Sequence, residues 1–133
     1  SDLNLYRVVF VTADSMVKIV DGGEFDVAKR TVAATKLNDG DRVVNVVSLK
    51  EQRNIILQST DGYFLRFPVD DIPEKKKAAV GVRGMKLNAK NTVENVYYTK
   101  NAVESTIEYK GKMIELNKIK LGSRDSKGVK IRT

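Results

Sequence analysis

The sequence predicts an all-β chain assembled from blade-like sheet repeats of a propeller-like array. Three observations predict it. β-prone runs come in pairs around short turns, related segments recur about every 50 residues, and no stretch sustains a helical period over its 133 residues.

The first pair is Leu5–Val11, apolar on both faces, and Met16–Val20, joined by a turn at 12–15. The second is Asn54–Ser59 and Tyr63–Phe67 around Asp61-Gly62. Asp-Gly between two such runs predicts a two-residue type I′ hairpin, whose central residues both need positive φ. The third is Ser105–Tyr109 and Lys112–Leu116 around Lys110-Gly111. A single helical turn is expected within residues 23–30. Counting aligns Thr12, Thr60 and Tyr109, at offsets of 48 and 49. That register groups Val17 with Leu65 and Ile114, and Ile19 with Phe67 and Leu116, as one core face. It sets Lys18, Arg66 and Glu115 on the opposite face. Downstream, Lys36-Leu37-Asn38 recurs as Lys86-Leu87-Asn88, and Val43-x-Asn45-Val46 as Val93-x-Asn95-Val96, each 50 residues on. The units are then blade 1 at about 5–50, blade 2 at about 52–99 and a partial blade 3 at about 101–133. A single four-stranded blade cannot cover its own apolar faces, so neighbours must stack on it.

Composition narrows the function. There is no cysteine and no histidine, which removes thiolate and imidazole metal sites and every His-dependent triad. The carboxylates are scattered through turns without a catalytic pairing. No apolar run reaches the roughly 18 residues of a membrane span, and the amino terminus lacks the zones of a signal peptide. A non-enzymatic, cytoplasmic chain without membrane contact is expected. Twenty-four Lys and Arg against 17 Asp and Glu give a net charge of +7, suited to a polyanion. Residues 1–74 hold nine basic and twelve acidic side chains, whereas residues 75–133 hold fifteen and five. The positive field therefore belongs to the second half.

Ser59-Thr60-Asp61-Gly62-Tyr63-Phe64-Leu65-Arg66-Phe67-Pro68, followed by Gly81-Val82-Arg83-Gly84-Met85-Lys86-Leu87, resembles the repeat of a known family. That family is the C-terminal domain of the A subunit of DNA gyrase and topoisomerase IV. Blade 1 matches it through Val17-Lys18, Glu24-Phe25 and Lys29-Arg30, and blade 3 through Gly111 and Ser126-Lys127-Gly128-Val129-Lys130. The resemblance implies a partial β-pinwheel of about two and a half to three four-stranded blades, in which neighbours exchange strands. It also implies a bacterial type IIA topoisomerase parent whose ATP, Mg and strand-breaking tyrosine act elsewhere, leaving no cofactor and no catalytic residue here. The implied partners are double-stranded DNA in the nucleoid, the ATPase B subunit, and the remainder of the A subunit. Open blade edges are available for self-association. Two departures stand out. The family's Arg/Gly/Lys-rich box is at best degenerate at Ser123–Gly128, with Asp125 where a second Arg is expected, and Glu115 replaces a basic residue.

Lys75, Lys76 and Lys77 with Arg83, Lys86 and Lys90 place six cations in sixteen residues without an acid. Phosphate contact needs charge and close approach more than fixed geometry, so this loop is the leading candidate for DNA binding. Arg124, Lys127 and Lys130 form the corresponding set in blade 3, and Lys29 and Arg30 in blade 1. Lys18 and Arg66 are either further contacts or side chains lying over apolar surface. Gly81 and Gly84 are read as backbone devices. With aromatics at 7% in strand patterns, no base-stacking platform is expected. Binding should be backbone-directed and salt-dependent, with a log–log slope of roughly −5 for about six phosphates. A protein-interaction propeller that docks acidic partners through the same loops is the competing reading.

Overall fold

The computed structural model describes residues 7–21, 36–101 and 103–133. The expected helical turn at 23–30, Leu5-Tyr6, and Lys29 with Arg30 lie outside these residues.

Ten strands are described: β1 (Arg7–Thr12), β2 (Met16–Asp21), β3 (Val43–Ser48), β4 (Gln52–Ser59), β5 (Tyr63–Pro68), β6 (Val82–Arg83), β7 (Val93–Lys100), β8 (Thr106–Tyr109), β9 (Lys112–Glu115) and β10 (Val129–Lys130). They form two four-stranded sheets, ordered β3-β1-β2-β6 and β10-β5-β4-β7, and the hairpin β8-β9. The pairings between strands are antiparallel throughout. Each four-stranded sheet takes its last strand from chain that follows the next hairpin. β6 comes after β5 yet completes the first sheet, and β10 comes after β9 yet completes the second. This is a β-pinwheel with exchanged strands.

The strand pairs correct the expected register. Met16 faces Arg83 and Val17 faces Val82, while Tyr63 faces Lys130 and Phe64 faces Val129. The true offset between the first two hairpins is therefore 47, not 48, and Thr12 corresponds to Ser59. Both hydroxyls make the same bond: Met16 N donates to Thr12 Oγ1 at 3.0 Å and Tyr63 N to Ser59 Oγ at 3.0 Å. A one-residue slip in a strand exchanges its faces. Val17 is thus the counterpart of Phe64, Ile19 of Arg66, and Lys18 of Leu65.

Stacking follows from the corrected faces. Val9, Val11, Val17 and Ile19 of blade 1 pack on Ile55, Leu57, Leu65 and Phe67 of blade 2 in one buried cluster. The other face of blade 2 supplies Ile56 and Phe64, which pack with Ile114, Leu116 and Ile119 of blade 3. Blade 2 is buried on both faces, which explains the unbroken apolar runs Ile55-Ile56-Leu57 and Tyr63-Phe64-Leu65. Each fully buried side chain of this kind contributes about 1.5–3 kcal/mol. Phe64 also meets Tyr109 edge to face, 5.1 Å between centroids.

The hairpin turns differ from expectation as well. Asp61-Gly62 is not a type I′ turn, because only Gly62 has positive φ (87°). The loop is Thr60-Asp61-Gly62, three residues ending in a left-handed one. Its counterpart in blade 1 ends in Ser15 at φ 71°. Lys110-Gly111 is the two-residue loop, with φ of 50° and 81°. Tyr109 pairs with Lys112 there, so the third hairpin is shorter than its fellows.

Candidate nucleic-acid interface

β3 and β7 are corresponding edges of the two sheets, and they approach each other: Tyr98 Oη donates to Asn45 Oδ1 at 2.7 Å. The opposite edges carry β6 and β10, with the connecting segments that hold most of the candidate DNA-binding residues.

Each segment is laid down by the same contacts. Residues 73–75 bracket Ile19, Ile19 N donating to Pro73 O at 3.0 Å and Lys75 N to Ile19 O at 2.8 Å. One repeat later, Gly122 N donates to Arg66 O at 2.7 Å. The chain then turns inward at Gly81 (φ 107°) and Gly128 (φ 84°) to start β6 and β10. A Cβ on Gly81 would sit 2.5 Å from Val17 O, and one on Gly128 2.4 Å from Phe64 O. Both positions require glycine for one reason, since positive φ and contact with a neighbouring carbonyl exclude a side chain. Gly84 acts differently: a Cβ there would meet Leu57 Cδ1 at 2.8 Å and Val17 Cγ1 at 2.9 Å, in the joint between blades.

The basic residues divide into two groups. Lys75, Lys76, Arg83, Lys86, Lys90, Lys127 and Lys130 are exposed, and Lys77 is half-buried. Lys127 and Lys130 extend over the ring of Tyr63, their Nζ atoms 5.5 and 5.9 Å from its centroid. The segments meet where Met85 bridges Ser126, with Asp125 N donating to Gly84 O at 2.6 Å and Lys86 N to Ser126 O at 2.9 Å. There the Arg83 guanidinium pairs with the Asp125 carboxylate. That hydrogen bond, with the charges of Arg83, Lys86 and Arg124, holds the Asp125 carboxyl below its usual range.

The second group is committed to the fold. Lys18 is buried, and its ammonium donates to the carbonyls of Ala79 (2.6 Å), Lys77 (2.9 Å) and Lys76 (3.4 Å) while lying over the Phe10 ring. This corrects its placement as a surface contact: it is a strut beneath the loop that presents Lys75–Lys77. Arg66 is half-buried and donates from Nη1 to Asn117 O and Ile119 O, both at 2.9 Å, tying blade 2 to the short 3-10 turn Leu116–Lys118. Arg124 donates to Asp71 O at 3.0 Å and Arg83 O at 2.8 Å. Glu115 caps that same 3-10 turn, accepting from Asn117 N and Ser105 N at 3.2 Å. At the 47-residue offset its counterpart is Pro68, and Arg66 corresponds to Met113. Sequence reasoning treats Asp125 only as a departure from pattern; an acid amid Arg83, Lys86 and Arg124 is the signal it misses.

Tyr97 and Tyr98 have structural contacts. Tyr97 Oη donates to Gln58 Oε1 at 2.7 Å, and burial pushes the Tyr97 and Tyr98 hydroxyls above their usual pKa. A phenol stabilised in its protonated form is a poor nucleophile at neutral pH.

Comparison with known proteins agrees with this architecture. The family described as DNA gyrase C-terminal domain, beta-propeller, matches residues 6–50, 53–100 and 110–133. The gyrase A protein of Klebsiella oxytoca is 33% identical over 88 residues, covering 65% of this chain and 10% of that protein. Its Rickettsia felis counterpart is 31% identical over 104 residues, covering 77% and 11%. The chain thus spans about a tenth of the length of these relatives. Among solved structures, the C-terminal domain of DNA topoisomerase IV superposes with a TM-score of 0.80 at 23% identity, covering 98% of this chain and 42% of that one. The DNA gyrase A C-terminal domain gives 0.74 at 23%, covering 93% and 42%. These two establish the shared fold, and the family match spans most of the chain. The chain belongs to the family of DNA gyrase C-terminal domains.

Proposed function

We propose that this chain binds duplex DNA along the edge carrying β6 and β10, and that it bends the duplex around that edge for a type IIA topoisomerase core located elsewhere in the parent protein. One observation carries the reading. Two successive connecting segments, fixed by the same glycine and carbonyl contacts, put exposed cations on the same edge of adjacent blades. Repeated cations along a curved edge neutralise successive phosphates and favour a bent path. Lysines on exposed segments suit backbone contact rather than base reading. The proposed partners of the whole protein are an ATP-hydrolysing B subunit plus the rest of the A subunit, with the cytoplasm as their compartment.

The test is topological. A singly nicked plasmid is sealed by ligase in the presence of increasing amounts of the chain, then stripped of protein and resolved by linking number. Wrapping predicts a progressive shift of the topoisomer distribution away from the protein-free control. An unshifted distribution at saturating protein would overturn the wrapping reading.

A further inference from the structure

The same connecting segment occurs twice, and the two copies differ at one charge. At the 47-residue offset fixed by the strand pairs, Asp125 corresponds to Ala78. The copy in blade 2 carries no acid from Lys75 to Lys90. The copy in blade 3 carries one, and it is placed where the two segments meet. Asp125 pairs with the Arg83 guanidinium, an exposed side chain of the neighbouring segment. Lys86 and Arg124 are near enough to act on the same carboxylate. Its backbone is held in place independently, by the bond from Asp125 N to Gly84 O at 2.6 Å.

We infer that Asp125 is a built-in counter-ion that attenuates DNA binding, occupying Arg83 and lowering the field of Lys86 and Arg124 at the junction between blades. This rests on the DNA-binding reading and refines it. A phosphate approaching the junction must displace the carboxylate from Arg83 before it can use that guanidinium. The protein-bound carboxylate does for Arg83 what a second phosphate contact would do, so one fewer counterion is released from the DNA on binding.

The experiment is a double-mutant cycle on duplex binding by the 133-residue chain, measured across a salt series. Asp125 has φ 69°, a conformation asparagine accepts, so Asp125→Asn removes charge while keeping shape and backbone. The expected result is a salt slope steeper by about 1 and an affinity gain of about eightfold near 0.1 M salt, one phosphate's worth. Arg83→Gln alone should weaken the parent chain, because it leaves the Asp125 carboxylate uncompensated beside the phosphates. It should abolish the gain in Asp125→Asn, and that coupling separates counter-ion action from a general effect on folding. Asp125→Gly, which also tolerates the positive φ, should reproduce the gain if Asp125→Asn folds poorly. Parent binding with no gain in either variant, or a gain that survives Arg83→Gln, overturns the inference and leaves the DNA-binding reading intact. Failure of the parent and both variants to bind overturns both.

Discussion

The two connecting segments share a path but not a chemistry. Residues 75–81 carry three consecutive lysines above a buried strut, with Lys18 taking three of the loop's carbonyls from below. Residues 122–128 carry one arginine bonded to carbonyls of other segments and one acid paired across the junction. The first copy exposes Lys75 and Lys76, and the second ties Arg124 and Asp125 to neighbouring segments while Lys127 stays exposed. A repeat fixes the backbone through a few glycine and carbonyl contacts, and the side chains in between are then at liberty to diverge. The same sequence signal, a basic loop before Gly-Val, therefore covers a run of lysines over a buried strut in one blade and, in the next, an arginine fastened across the junction beside an exposed lysine.

The largest way to break this contrast is to neutralise the first loop. Replacing Lys75 and Lys76 by Gln should flatten the salt slope of duplex binding by about 2 and weaken binding at 0.1 M salt by roughly sixtyfold. Arg124→Gln, in the second loop, should change affinity less than threefold (about 0.6 kcal/mol) but lower stability by about 1 kcal/mol, read by denaturant unfolding. Next come the glycines. Gly81→Ala and Gly128→Ala should each cost roughly 2 kcal/mol or more, because both oppose positive φ and a carbonyl contact. If only one of them proved destabilising, the two loops would not share a lock. Lys18→Met should cost about 1–3 kcal/mol through three abandoned carbonyls, with an unchanged salt slope once the folded fraction is equalised. The smallest effect concerns pH. The Ser59 hydroxyl (2.5 Å) and the Asn88 amide (2.8 Å) bond to Asp61, and the carboxyl is held below its ordinary 3.8. A depressed folded value gives stability that is present above the unfolded value and lost as pH falls through the lower folded one. Melting temperature should therefore drop on acidification below about pH 4, and Asp61→Asn should lessen that dependence.

Much of this is legible in the sequence. The strand pairs and the recurrence of Lys-Leu-Asn and Val-x-Asn-Val at 50 residues correspond to real elements. Asp41 N donates to Asn38 O and Asn91 N to Asn88 O, both at 3.1 Å, in matching turns. The hairpin register is hidden because the left-handed residue is Ser15 in one blade and Gly62 in the other. Matching Thr12 to Thr60 by identity, rather than to Ser59 by role, shifts the alignment by one and exchanges the faces. The shortened third hairpin hides in the same way, since Lys-Gly looks like Asp-Gly although it closes a different loop. At the candidate interface, charge count finds the segments but not the fate of each cation. Burial of Lys18 depends on carbonyls 58 to 61 residues away, which no local pattern reveals.

The central claim is that exposed cations on the β6–β10 edge hold DNA by its phosphates. Its most direct test is the affinity of the unmodified chain for a duplex of arbitrary sequence, followed from about 0.05 to 0.3 M salt. Phosphate-directed binding predicts a straight log–log plot with a slope near roughly −5, nearly the same for unrelated sequences. A flat plot, or affinity that depends on base sequence far more than on salt, would contradict it.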